Sequence, residues 1–422
     1  MSMRTDWKGA VVVALALALL VLVSCGGGGG NGPTTSGLSK RAFVSDDFDG
    51  TLHIEDAQND VESFFRISTG SQPGAMALSP DKSITLVFNA GQASLAVVAN
   101  STESLLGSIF LPNLSTSYVS MSDNTVGFVA VPNCPPTSCS GNSNVVDVVN
   151  LATTFNVTGV VPVANVARTL VLAPPPAQAK LLVFSGAADH QDTLTVIDTA
   201  AAKGATPATA ATQLGPDPAF YDRPVSAVFS SDGAKAYILN CGPECGGTTA
   251  SVTVLDMTVS PPAPVANVPL PAASVGLLSG NKLSVAGTPS GAPGSLAGRL
   301  SVLDTTALAP PASSVPISDG FHNHMELASN NKLFVGAITC SAGCLTIFDT
   351  SQNSAVVDSN TGDVTGIAPI GGRNVVYVVE DLVAGAFQGK GELRIYDTTT
   401  NALTPTQIDV VGKAVDVKYV DK

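Results

Sequence analysis

The densest group of side chains that could carry chemistry is the pentapeptide His322-Asn323-His324-Met325-Glu326. An imidazole can act as a general base or bind a metal ion through a ring nitrogen. If the pentapeptide is a β-strand, alternation places His322, His324 and Glu326 on one side of it. His322 and His324 could then chelate one metal ion, whereas Glu326 would lie roughly 13 Å from His322, too far away to share it. The alternative is that both histidines are structural and hydrogen-bonded.

Three further polar stretches carry weaker signals. Residues 46–50 (DDFDG) have the composition of a calcium loop but lack the later bidentate Glu of an EF-hand, so we expect a solvated hairpin turn. Residues 222–224 (DRP) could bind an anion, although we expect an ordinary connection between two structural units there. His190, close to Asp189 and Asp192, lies in a predicted loop. The sequence contains no G-x-S-x-G, P-loop or dinucleotide motif.

Six of the seven cysteines form close pairs, which are Cys134 with Cys139, Cys241 with Cys245, and Cys340 with Cys344. In an exported protein such pairs predict disulfides that each close their own loop. A bridge across so short a loop adds only about 2 kcal/mol, so we expect the disulfides to stiffen their loops. Zinc binding would require distant pairs to meet, and a covalent haem would require C-x-x-C-H, which is absent.

The elements that must position these residues are strands. Residues 225–270 hold four short apolar or alternating runs separated by turn signals, which predicts a four-stranded antiparallel meander. Its third run ends in Asp, and the same marker recurs at Asp56, Asp198, Asp256, Asp304, Asp349 and Asp397, with degenerate members at Ala99 and Asn150. The eight markers are separated by 43 (56 to 99) to 58 (198 to 256) residues. We interpret the Asp as turn chemistry, because its side chain can accept backbone N–H groups two residues on.

This period predicts an all-β fold, a β-propeller of four-stranded antiparallel blades. The repeat count gives eight blades, with seven as the alternative. The first unit lacks an inner strand before Arg41, whereas residues 414–420 form an alternating strand with no unit of their own. We expect this C-terminal strand to complete the first blade and close the ring, which removes free sheet edges.

The motifs resemble those of YVTN-repeat, or YncE-like, β-propellers. The similar features are residues 79–81 (SPD), residues 231–233 (SDG) and the Asp-Thr pairs that begin at Asp198, Asp304, Asp349 and Asp397. The resemblance spans residues 41–422 and implies the propeller fold. It leaves function open, since this superfamily includes lactonases, dehydrogenase subunits and surface binding proteins. Such propellers usually have seven blades, but residues 41–422 divide better into units of about 48 than of about 55.

The N-terminus predicts export. Arg4 and Lys8 precede an apolar run over residues 10–23, which is too short for a membrane span and typical of a signal peptide. Residues 22–25 (LVSC) resemble the lipobox of bacterial lipoproteins, which implies cleavage before Cys25 and lipidation of that cysteine. We therefore predict a signal peptide over 1–24, a lipidated cysteine and Gly-rich flexible tether over 25–40, and the propeller over 41–422. By analogy with lipoprotein sorting in Gram-negative bacteria, Gly26 at the next position implies the outer membrane rather than the inner one, facing the periplasm or the cell surface.

The predicted topology collects the unusual loops on one face. The three cysteine pairs and the long insertions 186–193, 288–299 and 381–392 all fall between the second and third strands of a unit, in alternate units. Loops mounted on a rigid scaffold commonly carry binding function. The alternative is sequence drift in unconstrained surface loops.

Composition narrows the partners. The formal net charge is −13, with 20 basic and 33 acidic residues and no Lys/Arg cluster, which argues against nucleic acid. We expect a monomeric, lipid-anchored envelope propeller that acts as a non-catalytic binding or scaffold module for a protein, glycan or small ligand. We expect no cofactor, unless His322 and His324 hold a metal ion. The alternative function is a lactonase-like or metal-dependent enzyme with its site near those two histidines.

Overall fold

Among the residues that the structure describes, thirty-two short strands supply most of the regular structure. The structure is a computed structural model that describes residues 35–421, except 177, 188–189, 216, 218, 293, 310, 312, 360, 383–389 and 411. Leu38–Lys422 form one compact unit. The predicted signal peptide, Cys25 and most of the tether lie outside the described residues. Within the described ranges, no helix is long and apolar enough to cross a membrane.

The strands are grouped here by blade. Blade 1 begins with β1 (Arg41–Asp46), β2 (Thr51–Asp56) and β3 (Val61–Ser68). Blade 2 has β4 (Pro73–Leu78), β5 (Ile84–Asn89), β6 (Ser94–Ala99) and β7 (Ser104–Phe110). Blade 3 has β8 (Ser117–Ser120), β9 (Val126–Val131), β10 (Val145–Asn150) and β11 (Val157–Pro162). Blade 4 has β12 (Val166–Leu172), β13 (Lys180–Ala187), β14 (His190–Asp198) and β15 (Ala211–Gln213).

The second half of the chain repeats this order. Blade 5 has β16 (Pro224–Phe229), β17 (Lys235–Asn240), β18 (Ser251–Asp256) and β19 (Ala263–Pro269). Blade 6 has β20 (Val275–Ser279), β21 (Lys282–Gly287), β22 (Gly298–Asp304) and β23 (Val315–Ile317). Blade 7 has β24 (Phe321–Leu327), β25 (Lys332–Ile338), β26 (Leu345–Asp349) and β27 (Ser354–Asp358). Blade 8 has β28 (Asp363–Pro369), β29 (Val375–Leu382), β30 (Lys390–Asp397) and β31 (Ala402–Val410), and β32 (Ala414–Tyr419) follows it.

Each blade is an antiparallel four-stranded sheet, and there are eight. The prediction of eight blades rather than seven is confirmed. Regular helix is confined to short segments at Thr199–Ala202, Pro207–Thr209, Gly242–Cys245 and Ser329–Asn331 among the described residues. The fold therefore consists of consecutive meanders, as the turn signals predict.

The C-terminal strand closes the ring. β32 pairs antiparallel with β1, with Val417 opposite Val44 and Tyr419 opposite Ala42, so blade 1 has the strand order β3-β2-β1-β32. The prediction that the last strand completes the first blade is confirmed. Lys82 in blade 2 also donates to the carbonyl oxygen of Asp421 at 3.0 Å, which ties the end of the chain to a third segment.

The apolar core lies between the blades. The second and third strands are almost wholly buried, whereas the outer strand β3 alternates between exposed and buried residues. In blade 1, Phe43 and Ile54 pack against blade 2, while Val44 packs against Tyr377 of blade 8. Middle strands are thus covered on both faces, which explains why their apolar runs are continuous.

The recurrent Asp forms a turn, as predicted. Asp256 Oδ1 accepts the backbone N–H of Thr258 at 2.8 Å, and Asp304 accepts that of Thr306 at 2.9 Å. Asp198 caps the short helix by accepting from the Ala201 N–H at 3.0 Å. The marker column is therefore structural in these blades.

Candidate binding face

Antiparallel order places every connection between second and third strands at the same end of the ring as the connections between blades. We call this end the loop face, and the opposite end, which carries the other hairpin turns, the turn face. Among the described residues, the loop-face connections within blades 1, 2, 3, 5, 6 and 7 are residues 47–50, 90–93, 132–144, 241–250, 288–297 without 293, and 339–344.

The three predicted disulfides are all present on the loop face. Their Cα–Cα distances are 6.2 Å for Cys134–Cys139, 5.7 Å for Cys241–Cys245 and 5.5 Å for Cys340–Cys344. They belong to blades 3, 5 and 7, which alternate with blades 4, 6 and 8, where the sequence carries its longer insertions. In blades 4 and 8 the insertion extends the strands themselves, since β13 pairs with β14 as far as Ala187 and β29 with β30 as far as Leu382.

Aspartates in or next to the blade connections also hydrogen-bond to the disulfide-containing loops of blades 5 and 7. Asp222 Oδ2 accepts the backbone N–H groups of Thr248 and Thr249, both at 2.7 Å. In blade 7, Asp319 accepts the N–H of Ser341 at 3.0 Å, and Asp363 accepts that of Thr339 at 2.6 Å. These contacts support a structural connection at residues 222–224 rather than the anion site considered from sequence.

A carboxylate of one such loop reaches the next blade. Glu244, inside the Cys241–Cys245 loop, accepts a hydrogen bond from the Ser274 hydroxyl in blade 6. Burial raises the pKa of Glu244 to about 7. Its Oε1 atom is buried without a hydrogen-bond partner in the part of the chain that the structure describes. The loop is therefore packed against its neighbour.

His322 and His324 do not share one side of β24, contrary to the alternation prediction. A β-bulge lies between them, so that His322 is opposite Ala337 and His324 opposite Gly336. Cε1 of His322 lies 2.9 Å from where a Cβ on Gly298 of blade 6 would stand, so this ring faces blade 6. The Cβ direction of Gly336, which His324 adjoins, points instead at Val364 of blade 8. One inserted residue has moved the two rings to opposite sides.

Both histidines are held in their neutral form. Burial lowers the pKa of His322 to about 4, and neither ring nitrogen has a hydrogen-bond partner among the described residues. Burial also lowers the pKa of His324 to about 4, beside the opposing charges of Asp416 and Lys418 on β32. Neither histidine belongs to a cluster of three potential metal ligands within the described ranges. His190 begins β14, but Asp189 and the side chains of His190 and Asp192 lie outside what the structure describes.

Blade 8 carries a buried ionic cluster near the loop face. Glu380 is fully buried, and its Oε2 accepts the Gly362 N–H at 3.0 Å and lies 3.4 Å from Nε of Arg394. Burial raises the pKa of Glu380 to about 8. Glu392 also contacts Arg394 Nε, at 3.3 Å, so one guanidinium serves two carboxyl groups.

A second ionic cluster, in blade 1, was missed from sequence. His53 on β2 contacts Asp46 Oδ2 through Nε2 at 2.6 Å and Glu62 Oε1 through Nδ1 at 2.8 Å. Asp49 Oδ2 lies 3.6 Å from the same Nε2. The expectation of a solvated turn holds for the exposed residues 47–49 but is wrong for Asp46, which is fully buried. A period-2 reading of the strand Leu52–Asp56 could have shown that His53 and Glu55 share a face.

The turn face carries clefts between neighbouring blades. Among the described residues, these include clefts of about 540, 280 and 290 Å³. The first cleft is lined by Ser230 and Asp232, which hydrogen-bond to each other at 2.6 Å. Polar groups that line it are thus already engaged in their own turns.

The comparisons with known proteins identify the fold. No protein-family model matches the chain, and no curated protein matches its sequence. Among solved structures, dihydro-heme d1 dehydrogenase NirN in complex with DHE aligns with a TM-score of 0.65 at 12% identity, over 90% of this chain and 75% of NirN. Apo AztD of Citrobacter koseri aligns at 0.58 and 14% identity, over 90% and 97%. The periplasmic gluconolactonase PpgL of Pseudomonas aeruginosa aligns at 0.54 and 14%, over 90% and 99%. At such identities the likeness establishes that the chain is a β-propeller.

Proposed function

We propose that the chain is an exported, lipid-tethered propeller that binds a protein partner through its loop face without catalysing a reaction. The main support for the proposal is that loops on this face are held both by disulfides and by hydrogen bonds to aspartates. Disulfides close the loops of blades 3, 5 and 7, and Asp222, Asp319 and Asp363 hold the backbone of two of them. Loops that are already ordered lose less entropy on association, which favours binding.

The ionisable groups of the loop face support binding over catalysis. Arg394 lies between Glu380 and Glu392, and His53 lies between Asp46 and Glu62. The buried groups of each cluster contact one another, whereas a general base needs hydrogen-bond access to a substrate. The bulge in β24 separates the two histidines on which the enzymatic alternative depended.

Exposed apolar side chains on the loop face favour a protein over a glycan or a small ligand. Phe48, Leu296 and Phe321 are 71%, 53% and 38% exposed and belong to blades 1, 6 and 7. Apolar anchors within a polar rim are the usual composition of protein interfaces. Asp47 and Asp49 flank Phe48, which favours a partner with basic groups at that end of the face.

The proposal also includes export of the chain and its anchoring through a lipid on Cys25. Three disulfides support export, because disulfides form and persist mainly in oxidising compartments outside the cytoplasm. The lipobox-like residues 22–25 support lipidation of Cys25, and Gly26 supports an outer-membrane destination. A flexible tether from Cys25 to Leu38 would span about 20 Å on average, which leaves the loop face free to meet a partner.

The test compares how much partner protein is captured by the wild type and by a variant that lacks the three disulfides. Envelope extract is passed over immobilised chain starting at residue 38, either wild type or with all six paired cysteines changed to Ser. We expect one defined protein to bind the wild type and to bind the variant at least about tenfold more weakly. Equal capture by both, with the variant shown to be folded by circular dichroism, would contradict the proposal. Loss of membrane association in Cys25→Ala cells tests the anchor separately.

A further inference from the structure

Three potential metal ligands converge at the loop-face end of blade 1. Asp46 is the last residue of β1, Asp49 lies in the following turn, and His53 is the third residue of β2. Their ligand atoms, Asp46 Oδ2, Asp49 Oδ2 and His53 Nε2, all lie within 4.8 Å of one another. Asp46 and His53 are buried and Asp49 is exposed, so the group is walled on one side and open to solvent on the other.

The backbone fixes one oxygen of each carboxylate and leaves the other oriented toward His53. Asp46 Oδ1 accepts the N–H groups of Phe48 at 2.6 Å and Asp49 at 3.1 Å. Asp49 Oδ1 accepts the N–H of Thr51 at 3.0 Å and its hydroxyl at 2.7 Å. Both Oδ2 atoms are therefore positioned before any ligand arrives, which reduces the cost of binding one.

His53 is oriented by a carboxylate on its other nitrogen. Nδ1 lies 2.8 Å from Glu62 Oε1, and Nε2 lies 2.6 Å from Asp46 Oδ2. If a cation replaces the proton on Nε2, Nδ1–H can still donate to Glu62. Metal-binding histidines commonly donate their second N–H to a carboxylate in this way. This carboxylate–histidine arrangement points to a cation at Nε2, independently of the number of acidic residues nearby.

A further buried carboxyl group lies on the same side. Glu55 follows His53 by two residues on β2 and stands opposite Glu62 on β3. It is 1% exposed, and its Oε2 has no hydrogen-bond partner among the described residues. Blade 1 thus places four carboxyl groups beside two basic side chains, His53 and Arg66; the carboxyl groups are those of Asp46, Asp49, Glu55 and Glu62, of which Asp46 and Glu55 are buried.

We propose that Asp46, Asp49 and His53 form a binding site for a divalent transition-metal cation such as Zn²⁺ or Co²⁺. The cation replaces the proton on His53 Nε2 and takes over the contact that Arg66 Nη1 makes with Asp49 Oδ2 at 2.5 Å. One imidazole and two carboxylates suit such ions, whereas Ca²⁺ takes six to eight oxygens. Three protein ligands leave at least one coordination position open. The site does not depend on the binding role proposed for the loop face.

The experiment is a titration of the chain from residue 38 with Co²⁺, followed by its visible absorption and by displacement with Zn²⁺. We expect one Co²⁺ per chain, displaced by Zn²⁺. Asp49→Asn, at an exposed position, should weaken binding at least about 100-fold, and Glu62→Gln about 10- to 100-fold because it only orients the histidine. His322→Gln is the matched control and should bind as the wild type does.

Two results would overturn the site. One is the absence of a Co²⁺ spectrum at saturating metal in the folded wild type. The other is a spectrum that persists undiminished in both Asp49→Asn and Glu62→Gln, because metal would then be held elsewhere. Thermal unfolding of each variant without metal shows whether its fold is intact, so that loss of binding is not confused with loss of structure.

Discussion

Arg41 and Asp421 stand 380 positions apart in the chain, yet Nε of Arg41 donates a hydrogen bond to Oδ1 of Asp421 over 3.1 Å. The same guanidinium donates to the Asn100 carbonyl at 2.6 Å and to Glu103 at 3.0 Å, both in the connection between β6 and β7 of blade 2. One side chain therefore links the start of the propeller, its end and the neighbouring blade.

Because Arg41 contacts both Asp421 and blade 2, we expect substitution of Arg41 to destabilise the fold more than substitution of Asp421. Arg41→Ala should lower the free energy of unfolding by about 2–3 kcal/mol, because it removes a cation that contacts both Asp421 and Glu103. Asp421→Asn should cost about 1 kcal/mol, because the guanidinium keeps its blade 2 partners. Urea unfolding of the chain from residue 38 measures both. Equal losses would show that the link to blade 2 contributes nothing.

Ring closure predicts that the last strand is indispensable. Deleting residues 414–422 removes the inner strand of blade 1 and exposes the edge of β1, so we expect loss of cooperative thermal unfolding and rapid proteolysis. Deleting residues 1–37 is the control and should leave the melting temperature unchanged, because Leu38–Lys422 form one compact unit. A sharp transition in the C-terminal deletion would mean that the ring does not need its closing strand.

Local patterns were sufficient to predict the architecture from sequence. The Asp markers, the eight runs before them and the orphan strand at residues 414–420 are all properties of short segments, and turn chemistry and alternation act over short segments. The three disulfides followed from spacing alone, since each pair lies within a single loop.

The candidate sites could be predicted much less well, because register decides them. The bulge at Asn323 inverts the side on which His322 lies, and no residue type near it signals the insertion. His53 meets Asp46 because the hairpin register sets Val44 opposite His53 and directs both toward blade 8. That register depends on the packing of whole blades, which a single sequence does not display.

The buried side chain of Asp147 should make the stability of the protein depend on pH. Asp147 on β10 is 1% exposed, and neither carboxylate oxygen has a hydrogen-bond partner among the described residues. Burial raises its pKa to about 7 in the folded state, above its ordinary value of 3.8. The folded state therefore keeps the proton that the unfolded chain releases, so stability falls as pH rises from about 4 to about 7.

The test is Asp147→Asn, which removes the titration. Relative to wild type, the variant should gain stability with rising pH, by at most ~4 kcal/mol above pH 7 and little at pH 4. Urea unfolding at both ends of that range measures the difference. Asp409→Asn, an exposed position on β31, is the control and should show no such trend. A difference independent of pH would mean that Asp147 is ionised in the folded protein.

The disulfides should matter more for loop order than for global stability. Changing Cys241 and Cys245 to Ser should cost about 2 kcal/mol, because the bridge closes a loop of only a few residues. Hydrogen exchange of residues 241–250 should nevertheless rise clearly, while that of the paired strands β17 and β18 should not. A loss well above this value, or unchanged exchange in the loop, would contradict a local role.

The most direct test of the proposed binding function is site-specific photo-crosslinking in cells. It compares positions on the loop face with positions on the turn face. A photoreactive residue is placed singly at exposed positions of the disulfide-closed loops (Thr137, Thr248, Ala342) and of the turn face (Asp123, Asp232, Gln352). If the loop face binds a protein partner, the first three positions yield one common crosslinked protein and the last three do not. Crosslinks to that protein from the turn face, or none from the loop face, would contradict the proposed binding function.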